Sequence, residues 1–163
     1  VAKIRYIKQP DDYGCGPTAI LNTLKWAGEK VTLKKHYRAL VIKCRSKDPD
    51  GNEFSGTTTR DFQSVLNYVG KKIFDIKFLI QPKIKRMKKE LKLGNAIILL
   101  HLNPDNTSHY TLIISNEGEN FVSVNAFKDS ETVSIISSDV IEFWTKKSKH
   151  MPLAWVITKK KPV

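Results

Sequence analysis

The sequence is short of cysteine, of long apolar runs and of arginine, and each shortage removes a class of protein. Only two of its 163 residues are cysteines, Cys15 and Cys44. A disulfide framework shows more cysteines in a shorter chain, and a structural zinc site needs clustered ligands. Neither is expected here, and no metal or other cofactor is called for. Two isolated thiols fit a reducing compartment, which points to the cytoplasm. Apolar runs stop at five residues, as from Ala96 to Leu100, whereas a membrane span takes about 20. Val1 to Tyr6 hold no apolar stretch followed by a small-residue cleavage site, so no signal peptide is legible. The 28 basic residues against 16 acidic give a formal charge of +12, yet only five of the basic ones are arginine. Base and phosphate recognition leans on arginine forks. The charge therefore favours an acidic partner over nucleic acid.

What is present suits a soluble globular protein. The chain is 40% hydrophobic and long enough for one domain, read as 1–163, with a core of its own. Pro17 opens a first helix that Gly28 closes, since proline is tolerated in a first turn and glycine suits a C-terminal cap. A second helix covers Leu33 to Cys44. Ser46 to Gly56 read as loop, marked by Asp48-Pro49-Asp50-Gly51-Asn52. Thr58 or Thr59 caps a third helix that ends at Gly70. Lys71 to Leu79 form a strand, and Gln81 to Leu93 a basic amphipathic helix stopped by Gly94. The pattern then turns to sheet. Ala96 to Leu102 read as a fully buried strand, His109 to Ser115 and Asn120 to Phe127 as a hairpin turning at residues 116–119. Ser138 or Asp139 caps a brief helix, Leu153 to Thr158 make a last strand, and Lys159 to Val163 a frayed tail. Helices first and antiparallel strands later make an α+β fold.

One stretch carries chemistry: Gln9-Pro10-Asp11-Asp12-Tyr13-Gly14-Cys15-Gly16-Pro17. It sets a cysteine at the mouth of a helix taken to be amphipathic, where unpaired N–H groups and the positive end of the helix dipole favour an anion. The thiol pKa is expected to fall. Gly14 and Gly16 allow a tight turn and the close approach of a substrate backbone. The competing reading, a small buried cysteine, is the common fate of free thiols, but two glycines and a helix start weigh against it.

A thiolate nucleophile needs a base remote in sequence and near in space. His36 and His150 stand in basic, surface-like segments, and His101 ends the buried strand, where a structural role is the simpler one. His109 opens a strand after the loop from Asn103 to Ser108. The hairpin brings Asn125 beside it, where the side-chain carbonyl accepts from Nδ1 and leaves Nε2 for sulfur.

Gln9 six residues before Cys15, and His109 sixteen before Asn125, resemble the papain-like superfamily, closest to the C39 and C39-like cysteine peptidases. The Gly56-Thr57 approach to a helix and the Leu93-Gly94-Asn95 lead into a buried strand resemble that scaffold too. The resemblance spans Gln9 to Phe127. It implies a papain-like fold, with N-terminal helices packed on a C-terminal antiparallel sheet. It also implies thiol-dependent hydrolysis of a peptide or related amide bond in a peptide or protein substrate. In that reading Cys15 is the nucleophile, His109 its ion-pair partner and acid, Gln9 the oxyanion donor and Asn125 the residue that orients His109. The transporter-attached members carry aspartate in place of Asn125, and their cysteine directly follows the acid. Here Tyr13-Gly14 intervene after Asp12, so a free-standing C39-like protein is the nearer comparison. Two alternatives stay open: an acyl-transfer member, and a non-catalytic member of the fold. Either would bind an acidic protein or nucleic acid through its lysine-rich surface, centred on Lys85, Lys88 and Lys92.

Overall fold

The computed structural model describes residues 3–46, 56–103, 107–126, 131–148 and 150–161. The turn read at Asp48 to Asn52, the middle of the loop at 104–106, the strand end at Phe127 and the last two residues lie outside these.

The first three helices are α1 (Cys15–Trp26), α2 (Leu33–Lys43) and α3 (Thr59–Gly70). The caps explain the boundaries. Thr32 Oγ1 accepts from the Lys35 N–H at 3.2 Å and Thr58 Oγ1 from the Asp61 N–H at 3.1 Å, each filling one orphan donor of a first turn. Helix α1 has no such cap: Gly14 holds the position, and its carbonyl accepts from the Thr18 N–H at 2.9 Å. The helix therefore starts at Cys15, two residues before Pro17, which occupies the third helical position. It is also not amphipathic. Eleven of its twelve residues are buried, all but Lys25, because α2, α3 and the sheet surround it. A helix buried on every side belongs to the interior.

After α3 come β1 (Phe74–Ile80), α4 (Ile84–Lys92), β2 (Ala96–Leu102), β3 (Ser108–Glu117), β4 (Asn120–Val124), β5 (Val133–Ser137), α5 (Ser138–Lys147) and β6 (Leu153–Lys159). The strands form one six-stranded antiparallel sheet in the order β1-β6-β2-β3-β4-β5. The α+β, papain-like architecture expected from the sequence is present, with one addition. Helices cover both faces. Alternate residues of β2 show it: Ala96, Ile98 and Leu100 enter the core under α1 and α3, while Ile97 and Leu99 enter a second core under α4 and α5. This is why β2 reads as a continuous apolar run rather than an alternating one. Each fully buried Ile or Leu there contributes roughly 1.5–3 kcal/mol.

Two expectations change. Strand β5 is an addition: Val133, Ile135 and Ile136 are β-branched, but only Ile136 of its five residues is buried, and pairing with β4 fixes it as a strand. The tail is partly tied down: Lys160 N donates to the Ile73 carbonyl at 2.9 Å and Lys159 Nζ lies 4.4 Å from the Trp26 ring.

Candidate active site

The site forms where the N-terminal segment, the start of α1 and the start of β3 meet. Asn22, buried in α1, fixes the first of these. Its Oδ1 accepts from the Ile7 N–H at 2.7 Å and its Nδ2 donates to the Ile7 carbonyl at 2.8 Å. Two residues on, the Gln9 N–H donates to Asn125 Oδ1 at 3.2 Å, and Asn125 Nδ2 donates to Gln9 Oε1 at 3.3 Å. The Asn125 carbonyl in turn accepts from His109 Nε2 at 2.6 Å. Gln9, Asn125 and His109 are thus one connected unit.

Asn125 does two jobs because its backbone is left-handed, at φ 58, a region asparagine tolerates better than most residues. That twist sends its carbonyl toward His109 and its side chain toward Gln9. The contact with the histidine differs from expectation in both partners: main chain rather than side chain, and Nε2 rather than Nδ1. A carbonyl only accepts, so Nε2 carries the hydrogen and the lone pair of the neutral ring rests on Nδ1.

Cys15 is the first residue of α1 and is buried, 8% exposed. Its sulfur lies against the backbone N–H groups of Tyr110, Gly16 and Cys15 itself. Tyr110 directly follows His109 in β3, so the backbone carries the histidine to the same end of the strand as the thiol. No hydrogen bond joins them. The expected fall in the thiol pKa does not occur: burial pushes it up, the three N–H groups pull it down by less, and Asp11 adds to the rise. His109 is held below its ordinary value by burial, against a smaller opposite effect of the Asn125 carbonyl. Cys44, wholly buried, is pushed up to about 12 by burial.

The glycines serve the protein's own packing. A Cβ on Gly14 would stand 1.7 Å from the Tyr37 hydroxyl, and one on Gly16 would stand 2.4 Å from Thr57 Oγ1. Tyr37 donates to Asp11 Oδ2 at 2.6 Å, Asp11 Oδ1 accepts from the Tyr13 N–H at 3.2 Å, and the Asp11 carbonyl accepts from Gln9 Nε2. Asp11 therefore sets the turn that carries both Gln9 and Cys15. Thr57 is fixed by Ser46 Oγ at 2.6 Å, and its carbonyl accepts from the Tyr110 hydroxyl at 3.0 Å.

Sequence reasoning passed over Asp11, Tyr37, Thr57, Asn22 and Tyr110 as functional positions. Asp11 had a signal, as a carboxylate inside the cysteine motif, and Thr57 had one in the Gly56-Thr57 approach to α3. His101 is packed inside, though not fully satisfied: its ring stacks on Trp144 at 3.6 Å, Nε2 meets Thr111 Oγ1 at 2.8 Å, Nδ1 is buried without a hydrogen-bond partner among the described residues, and the register pairs it with His109. The two imidazole centroids are 5.7 Å apart. Among the described residues no cluster of His, Cys, Asp or Glu could hold a metal, and no helix is long and apolar enough to cross a membrane.

Several solved structures share the fold. The peptidase domain of Streptococcus ComA, a bi-functional ABC transporter of a quorum-sensing pathway, superposes with a TM-score of 0.72 at 14% identity, covering 97% of this chain and 100% of that one. A protein from Bacillus anthracis described as a C39-like peptidase gives 0.70 at 14% identity, over 98% and 96%. A double-glycine-motif protease from an AMS/PCAT transporter, solved with its leader peptide, gives 0.64 at 15%, over 98% and 94%. Identities this low speak to the fold alone. No curated protein matches the chain. The sequence does match the family model of the peptidase C39-like family over residues 1–161, and on that match the chain belongs to the peptidase C39-like family.

Proposed function

We propose that the whole chain is a single cysteine peptidase domain acting on a peptide or protein, with Cys15 as nucleophile, His109 as base and acid, and Gln9 and Asn125 as their supports. One observation carries the reading: Cys15 opens buried helix α1 close to the Tyr110 backbone, one residue from a histidine tied through Asn125 to Gln9. With the thiol raised and the imidazole lowered, both groups are neutral at neutral pH. Proton transfer then accompanies attack. Nδ1 takes the thiol proton as sulfur bonds to the substrate carbonyl carbon, giving a tetrahedral oxyanion. The Cys15 N–H and Gln9 Nε2, swung off the Asp11 carbonyl, donate to that oxygen, each worth about 3–4 kcal/mol in a transition state. The C–N bond breaks, the amine leaves with the proton from His109, and a thioester remains. Water, activated by the neutral imidazole, hydrolyses it and restores the thiol.

A polypeptide substrate is supported by the AMS/PCAT protease, which was solved with a leader peptide. Two free, buried thiols fit a cytoplasmic setting. Cys15→Ala tests the proposal: turnover of a peptide library should vanish while urea unfolding is unchanged. Iodoacetamide at neutral pH should label Cys15 well before Cys44. Labelling of both at one slow rate, with no turnover, would leave a binding module on a peptidase fold.

A further inference from the structure

Across the sheet from Cys15, α4 and the β3–β4 hairpin enclose a groove of about 930 Å³. Its cationic lining is Lys83, Lys85, Arg86, Lys88, Lys89 and Lys92, over a floor of Leu91 and walls that include Ser115 and Asn116. Ser115 is six residues along β3 from His109, roughly 20 Å, so the groove is separate from the candidate active site. We propose that it docks an acidic stretch of a partner polypeptide.

The charges are not balanced from within. Arg86 is taken by Glu90 at 3.0 Å and Lys88 by Glu119 at 2.8 Å. Lys83, Lys85, Lys89 and Lys92 are exposed, and none forms an ion pair among the described residues. Helix α4 has no acidic residue in its first turn and no side-chain cap on Lys83. Lys83, Lys85 and Arg86 therefore stand where the helix dipole favours negative charge. Lys85 and Lys89 repel at i,i+4, as do Lys88 and Lys92. A bound anion reverses each of these costs. Glu119, reaching from the hairpin onto Lys88, already shows how a carboxylate sits at the rim.

The chemistry selects the occupant. From Lys83 to Lys92 the helix rises roughly 14 Å, the reach of about four extended residues. A short run of Asp and Glu matches that length and charge. Nucleic acid is disfavoured: the only guanidinium in the groove is already paired, and no aromatic side chain lines it for base stacking. A lipid surface is disfavoured too, because the one lining apolar residue, Leu91, is buried at 7% exposure.

The test is fluorescence anisotropy with the full chain carrying Cys15→Ala, so that the result is independent of any peptidase activity. The probes are a labelled ten-residue Glu/Asp peptide, a single-stranded oligonucleotide of equal charge, and phosphatidylserine vesicles. The peptide should bind best in low salt. Lys85→Glu/Lys89→Glu/Lys92→Glu should weaken it by about tenfold or more, and the Gln triple by a smaller factor. Glu119→Gln should tighten it about twofold by removing the internal competitor. The same reversal at exposed Lys30, Lys34 and Lys35 should change it less than about threefold. No peptide binding, equal losses from both triples, or preference for the oligonucleotide or vesicle would overturn the proposal. Circular dichroism of each variant excludes misfolding, and the Gln triple decides the matter if the Glu triple unfolds.

Discussion

The two faces of the sheet are built on opposite terms. Under α1 nearly everything is buried, and Asn22, Thr23 and Tyr110 spend their polar groups on internal hydrogen bonds, though Thr18 Oγ1 and Trp155 Nε1 find no partner among the described residues. Of the residues of α4 itself only Met87, Glu90 and Leu91 are buried, the two apolar ones against the second core, and the outer side is a lysine array. A reaction centre needs atoms held to a fraction of an ångström, which close packing supplies. A charged docking groove needs reach and solvent. Changes in the packing around α1 should therefore act steeply on activity and folding, and changes among the outer lysines of α4 should barely touch either.

The largest effect expected is at His109. His109→Ala should lower kcat by about 10³-fold with little change in urea midpoint, and a loss under tenfold would remove it as the base. Gly16→Ala comes next, because Thr57 is stiff at χ1 and anchored by Ser46. Overpacking of this kind costs about 1–3 kcal/mol, read as a lower urea midpoint; an unchanged midpoint would mean that the α1 face yields more than its packing implies.

Burial holds His101 well below 6.5, aided by its neighbour His109 and opposed by the Leu102 carbonyl, and His109 is itself lowered. As pH falls through 6.5 the unfolded chain takes up protons that the folded chain refuses. Stability is therefore full above that value and lost below it, by up to about 1.4 kcal/mol per pH unit per histidine. His101→Phe keeps the stack on Trp144 and should flatten this slope, measured by urea unfolding from pH 7.5 to 5. An unaltered slope would place the acid sensitivity elsewhere. The same shift puts the acid limb of kcat/KM below pH 6.5, and a midpoint above 6.5 would contradict the assignment of His109.

Asn125→Gly is subtler. It permits the left-handed backbone and keeps the carbonyl on His109 while releasing Gln9. A loss of about tenfold in kcat, well short of His109→Ala, is expected; equal losses would show that the side chain moves onto the imidazole during turnover. The smallest effect belongs to α4. Lys85→Glu places a negative charge in a first turn and should stabilise by about 0.5 kcal/mol, seen as a slight rise in Tm with kcat unchanged.

The sequence made legible whatever depends on near neighbours. The bounds of β2, the cap at Thr58 and the turn at Asn116 to Glu119 all follow from residues within a few positions of one another. The start of α1 did not, because Gly14 has no side chain to announce a cap. Strand β5 did not, because a partner strand defines it. Gln9 follows from the family resemblance, and His109 and Asn125 from the strand and hairpin pattern; the structure joins the three by hydrogen bonds. The ring nitrogen that faces Asn125 and the direction of the thiol shift escaped, since both depend on burial and on one left-handed residue.

Asn22 grips Ile7 by the main chain and ignores its side chain. The side chain itself packs against the core under α1, so position 7 favours an apolar residue, with proline barred because it has no hydrogen to offer. Spacing is another matter. One residue gained or lost between 7 and 9 would carry Gln9 past its seat, so the length of this stretch should stay fixed.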